Sequence, residues 1–286
     1  MVLHTLHLAI PQNSSNTNKQ PDLCQTFPSL RYLIIESDFR TMISLVEAVQ
    51  STTLDTLSLT IVHGDDREMV LGELIALISL KRGWESSLKT IIIINRSGLN
   101  LVVDEYSGPG HPYFLSVEDL LVFSRLQHIT LDRLVISLND TLCEKLAAGW
   151  PSLVEFCFNP TSARGLVPVG LSSLVAFARH CPQLSRLQLG VPWDMTAIPV
   201  LDDATLTILS SRPTRSTCML ISVGHLSVIT NPKAVARFLA TMFPRREIKI
   251  VLVATPNCFW YFGDGWFKVV FWLSKTQPSS LELGTI

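Results

Sequence analysis

The sequence predicts an α/β solenoid, a stack of units that each contribute one parallel strand and one helix. Three observations carry that expectation. A six-residue pattern with apolar residues at its first, fourth and sixth positions recurs along the chain. An aromatic residue or cysteine followed by proline stands in front of four of the strands. Between the strands lie stretches whose apolar residues return with helical spacing, and units of this kind bury their apolar sides only by stacking on their neighbours.

The strand pattern reads "LHTLHL" from Leu3, "LRYLII" from Leu30, "LDTLSL" from Leu54, "LKTIII" from Leu88, "LQHITL" from Leu126, "LVEFCF" from Leu153 and "LSRLQL" from Leu184, with a weaker "CMLISV" from Cys218. "REIKIVLV", after Phe243-Pro244, suggests a ninth strand without its leading leucine, and "LEL" at 281–283 suggests the start of a tenth. Alternation within each copy sends the leucines to one face and the residues between them to the other. Proline fixes its own φ and biases the residue before it away from helix. Phe27-Pro28, Trp150-Pro151, Cys181-Pro182 and Phe243-Pro244 therefore mark corners where a helix gives way to a strand.

Helices are expected at 39–50, 67–82, 116–125, 139–149, 171–180, 202–210 and 232–243. Asp38, Asn139 with Asp140, Asp202, and Asn231 ahead of Pro232 stand where N-caps belong. "WFKVVFWL" at 266–273 is apolar nearly all round, which fits a buried last helix or, as the alternative, a surface that takes a partner. Loops are expected at 11–26, which is polar, and at 97–115, which holds Gly108, Pro109, Gly110 and Pro112.

Composition narrows the function classes. The 286 residues are 47% hydrophobic and 16% charged, with a formal net charge of -1 and a mean hydropathy of +0.33. Basic residues do not cluster beyond Arg245 and Arg246, so nucleic acid is not an expected partner. The most apolar stretch, 248–262, is broken by Pro256 and is shorter than a bilayer span, so no membrane partner is expected either. The six cysteines form no C-x-x-C pair and have no histidine at finger-like spacing. They read as reduced, buried thiols of an intracellular protein, cytoplasmic or nuclear.

No catalytic constellation emerges, and neither a cofactor nor a metal is expected. His180 and Cys181 are adjacent, which is not the spatial pairing of a nucleophile and its base, and Cys181 holds the corner position that Phe or Trp holds elsewhere. The pairs Asp65-Asp66, Asp104-Glu105 and Asp202-Asp203 read as solvated or helix-capping carboxylates.

The corners "FPSL", "WPSL" and "CPQL", with the run from Ser222 to Pro244 ("SVGH…NPKAVARFLATMFP"), resemble the irregular leucine-rich-repeat region of fungal F-box-type proteins, especially the large basidiomycete families. The resemblance covers nearly the whole chain. It implies a leucine-rich-repeat solenoid over residues 1–286, with parallel strands on the concave face, helices on the convex face and irregular repeats. Intervals of 24 to 38 residues between copies fit that irregularity, since regular repeats run about 20 to 29 residues.

In that family an F-box binds the Skp adaptor of a cullin–RING ubiquitin ligase, and the repeats hold the protein substrate. The implied role is protein–protein interaction, as the substrate-recognition part of such a receptor. This sequence contains no "LP-x-E-I-L"-like segment. Strand 3–8 has no helix ahead of it, so an incomplete N-terminal cap is expected, and a Skp-type adaptor is an expected partner only if an F-box lies upstream. The alternative is a free-standing repeat protein or a truncated gene product with no ubiquitin role.

A stack of this kind offers its outward strand residues as one surface. The register puts Thr5, His7, Tyr32, Ile34, Glu36, Thr56, Ser58, Thr60, Thr90, Ile92, Ile94, His128, Thr130, Asp132, Glu155, Cys157, Asn159, Arg186, Gln188 and Gly190 there. The candidate binding residues among them are Tyr32, Glu36, His128, Asp132, Glu155, Arg186 and Gln188. Tyr32 and Arg186 are the types that most often anchor interfaces.

The register makes a direct prediction. Leu187→Asp puts an unpaired charge in the core and unfolds at least the C-terminal half, whereas Arg186→Ala leaves folding intact. Urea melts of the two variants check this, and a Leu187→Asp protein that melts like the parent refutes the register.

Overall fold

The computed structural model describes residues 3–9, 27–63, 69–96, 117–134, 136, 138–160, 167–211, 218–224, 227–244, 246–253 and 264–276. The expected loops at 11–26 and 97–115 and the strand start at 281–283 lie outside these residues.

The described strands are β1 (Thr5–Ala9), β2 (Tyr32–Asp38), β3 (Thr56–His63), β4 (Thr90–Asn95), β5 (His128–Asp132), β6 (Glu155–Asn159), β7 (Val169–Gly170), β8 (Arg186–Leu189), β9 (Trp193–Asp194), β10 (Cys218–Gly224) and β11 (Glu247–Val253). The α-helices are α1 (Phe39–Ala48), α2 (Met69–Ser79), α3 (Asp140–Gly149), α4 (Leu171–His180), α5 (Asp203–Ser211), α6 (Pro232–Met242) and α7 (Asp264–Thr276). Nine strands form one parallel sheet in the order β1-β2-β3-β4-β5-β6-β8-β10-β11. The protein is thus an α/β structure in which spatial order follows chain order.

Parallel neighbours need a crossover, and the helices supply it. They pack on one another in sequence, α1 on α2, α3 on α4, α4 on α5 and α6 on α7. Their apolar sides join the leucine side of the sheet in one buried cluster that runs from Leu30 to Leu273. The leading leucines Leu30, Leu54, Leu88, Leu126, Leu153 and Leu184 are all buried in it.

Register is set by a backbone contact that recurs. The carbonyl of the residue after the leading leucine accepts two N–H groups from the next unit: His4 from Arg31 and Tyr32 at 2.9 and 3.0 Å, Arg31 from Asp55 and Thr56 at 2.8 and 2.9 Å, and Asp55 from Lys89 and Thr90 at 2.9 and 3.0 Å. Lys89, Gln127 and Val154 do the same for the pairs starting at Gln127, Val154 and Ser185.

Buried carbonyls need donors, and at the corners side chains provide them. Ser51 Oγ donates to Leu30 O at 2.7 Å, Trp84 Nε1 to Ser51 O at 2.7 Å, Ser87 Oγ to Leu54 O at 2.9 Å, and Trp150 Nε1 to Leu120 O at 3.3 Å. Arg246 stands two residues after Pro244, where the corners at Pro28, Pro151 and Pro182 place a leucine. Its guanidinium donates to the carbonyls of Leu184 and, at 3.1 Å, Pro182, and burial lowers its pKa.

The expected caps are in place. Asp38, Asn139, Asp202 and Asn231 accept from the N–H groups of Thr41, Leu142, Thr205 and Ala234 at 2.7 to 3.1 Å. Burial alone raises the Asp38 carboxyl, but hydrogen bonds from the Thr41 N–H and hydroxyl outweigh it and hold the pKa below the usual range. Gly170 precedes α4 and has no side chain to cap it, so Asp140 on α3 accepts from the Gly170 N–H at 2.7 Å and from the hydroxyls of Ser172 and Ser173. Gly170 with β7 forms part of a small second parallel sheet with β9, extended by a bridge from Asp194 to Val228.

Two expectations need correction. The stretch expected as helix at 116–125 is a 3-10 turn at Glu118–Val122. Its buried residues Val117, Leu120, Phe123 and Leu126 fall three apart, the period of a 3-10 helix rather than of an α-helix. Helix 67–82 ends at Ser79, and a separate 3-10 turn at Arg82–Trp84 swings Trp84 into the core.

Arg246→Ala empties a buried side-chain position and leaves two corner carbonyls without a donor. The expected loss is about 2–4 kcal/mol, read from urea denaturation; a loss below roughly 0.5 kcal/mol, the scatter of ordinary surface substitutions, contradicts a structural role for the guanidinium.

Candidate protein-binding face

The side of the sheet away from the leucine cluster carries the candidate residues. Paired Cα positions place them in rows that run across the strands. One row is Thr5, Tyr32, Thr56, Thr90, His128, Glu155 and Arg186. The next is His7, Ile34, Ser58, Ile92, Thr130, Cys157 and Gln188, and the third holds Glu36, Thr60, Ile94, Asp132 and Asn159.

His128, Glu155, Arg186 and Gln188 are brought together on β5, β6 and β8. His128 Nδ1 lies 3.8 Å from Glu155 Oε2. Arg186 Nη2 donates to Gln188 Oε1 at 2.9 Å, and Gln188 Nε2 donates to Asn159 Oδ1 at 2.7 Å. Arg186 Nε is buried without a hydrogen-bond partner. Tyr32, 44% exposed, stands three strands from His128, roughly 14 Å at normal strand spacing. Glu36 lies at the far end of β2, and Asp132 closes β5 beside Asn159. The seven candidates thus form one cluster of four and three outlying positions.

Cys157, Gln188 and Gly190 depart from the expected outward, solvated placement, because all three are buried. Packing is close where β6 and β8 end: a Cβ on Gly190 would lie 3.0 Å from Pro160 Cδ and 3.1 Å from Asn159 Oδ1. Gln188 tolerates the burial because both ends of its amide are hydrogen-bonded. Asn159 completes that network, and only the finished chain of bonds distinguishes it from any other strand-end asparagine. Glu247 and Lys249, 3.8 Å apart on β11, add charge to the same side of the sheet. The alternation in "EIKIVLV" is the signal that exposes them once β11 is accepted as a strand.

Burial raises the Cys157 thiol, with the Arg186 charge opposing it, and pushes Cys143 up to about 12. His180 and Cys181 look in different directions: His180 Nε2 meets Glu144 Oε1 at 2.9 Å, while the buried Cys181 Sγ donates to the carbonyls of Ala147 and Trp150 at 3.5 Å. Among the described residues no group of three or more His, Cys, Asp or Glu side chains is placed to hold a metal ion, and no helix is long and apolar enough to cross a membrane.

No protein-family model matches the chain, and no curated protein matches it.

The rows supply donors, acceptors, β-branched side chains and one exposed tyrosine on a pleated surface. Such a surface can hydrogen-bond and pack against a partner along several strands at once.

Thiol accessibility tests this placement. With a small maleimide at neutral pH, the partly exposed Cys218 is expected to react ahead of Cys143, Cys157 and Cys181, which react only after unfolding. Peptide mass mapping follows the order, and labelling of Cys143 at the rate of Cys218 contradicts the packing of α3.

Proposed function

We propose that this chain is a protein-binding leucine-rich-repeat solenoid, with its strands on the concave face and its helices on the convex face, and that it binds its partner through the open side of the sheet. It acts as a binding module and not as an enzyme. The supporting observation is that nine parallel strands stack in chain order with matched registers. Side chains far apart in sequence therefore share unbroken rows, and a partner can span several of them.

Within the face, the cluster of His128, Glu155, Arg186 and Gln188 is the polar centre. Its support is the convergence of four polar side chains from three neighbouring strands, with an arginine, a residue type that often anchors interfaces, among them. Tyr32 is the second anchor. Together with the resemblance to fungal F-box-type repeats, this favours the substrate-holding part of a ubiquitin-ligase receptor that works inside the cell.

Two measurements test the proposal. Photo-crosslinking groups at Tyr32, Thr90 and Glu155 are expected to capture the partner, and the same groups at Glu144 and Ser172 on the helix side are not. The reverse pattern refutes the face. Tyr32→Ala and Arg186→Ala are each expected to weaken binding by about tenfold, the scale of aromatic and arginine anchors. Co-purification of a Skp-type adaptor with the complete gene product supports the receptor role. Its failure, with crosslinking intact, leaves a repeat scaffold without a ubiquitin role.

A further inference from the structure

We infer that the outer face of α7, together with the adjacent start of α6, docks onto the surface of an anionic lipid bilayer. The face does not belong to the open side of the sheet. Trp266, Val269 and Leu273 turn one side of α7 into the core, while Phe267 and Phe271, one helical turn apart on the other side, are 46% and 54% exposed. This is an uncommon use of two phenylalanines on a surface helix.

Cations surround them. Lys268 and Lys275 are exposed on the same helix, and Lys275 Nζ lies 5.5 Å from the centre of the Phe271 ring. Lys233, in the first turn of α6, places its Nζ 4.6 Å from the centre of the Trp272 ring, and Arg237 follows one turn later, also exposed. In the sequences of the two helices the only carboxylate is Asp264, at the first position of α7. On a chain whose formal net charge is -1, this is a local concentration of positive charge around aromatic rings.

Charge and shape select the occupant. A second copy of the face is disfavoured because its four cations meet the same four across the contact. An acidic protein needs a groove cut to two side chains that stand out from a helix ridge. An anionic bilayer needs no such fit: the rings enter the boundary between headgroups and acyl chains, and the lysines reach back to the phosphates on their flexible stems. At thirteen residues α7 is too short to span a bilayer, but lying on one has no such length requirement.

The test uses the full chain, mixed with vesicles of phosphatidylcholine alone and of phosphatidylcholine with phosphatidylserine, followed by co-sedimentation at low and high salt. The expected result is partition onto the serine-containing vesicles only, weakening with salt. Lys268→Glu/Lys275→Glu is expected to lower the partition by about 25-fold or more, at roughly fivefold per cation. Phe267→Ser/Phe271→Ser is expected to abolish what remains at high salt. Circular-dichroism melts confirm that both double variants fold. Absence of serine-dependent partition, or partition that both variants leave unchanged, overturns the inference. Binding of a soluble polyglutamate peptide without vesicle binding also overturns it, in favour of an acidic protein partner.

Discussion

From β1 to β8 the sheet hangs on one backbone carbonyl per unit, that of the residue after the leading leucine, which accepts two N–H groups from the next unit. Because parallel strands meet only through slanted ladder bonds, a shift of one residue would turn every leucine away from the core. The doubly accepting carbonyl stops that shift where each strand begins. It is made by His4, Arg31, Asp55, Lys89, Gln127 and Val154, six residue types with nothing in common. A backbone contact asks nothing of the side chain it belongs to, so the stack holds one register while the sequence at that position varies freely.

The same division explains which parts of the fold were legible in the sequence. The strands announce themselves because the leucine pattern is the part that burial constrains, and the caps do because Asp38, Asn139, Asp202 and Asn231 each perform a local task. Features that depend on a neighbouring unit leave no local trace. Asp140 reads as a first-turn acid of α3, yet it also supplies the cap that Gly170 cannot give to α4. Arg246 reads as a missing leucine, and only the position of Pro182 and Leu184 shows why an arginine suits it. The two-residue strands β7 and β9 are too short to show a period. At 117–126 the decisive clue, apolar residues three apart, is readily mistaken for the helical spacing of three and four.

The candidate face was legible as a set of outward positions but not as a cluster. Strand alternation places His128, Glu155, Arg186 and Gln188 on the same side, yet nothing in the sequence states that Cys157 and Gln188 are buried there. The burial of Gln188 and its hydrogen bonds to Arg186 and Asn159 are tertiary contacts. They change the chemistry of the site: Gln188 becomes a fixed link between Arg186 and Asn159 instead of a free amide in solvent.

Two regimes therefore coexist on one surface. On β2 to β4 the outward residues Tyr32, Thr56 and Thr90 have no part in the buried cluster, so a change at any of them has little consequence for folding. At β6 and β8 the outward residues Cys157 and Gln188 are themselves buried, and a change at either acts on the packing of that end of the sheet. Arg186 sits at the boundary: Nη2 donates to Gln188 Oε1, while Nε is buried without a hydrogen-bond partner. The Arg186 side chain thus links the open rows on the earlier strands to the hydrogen-bonded network of Gln188 and Asn159.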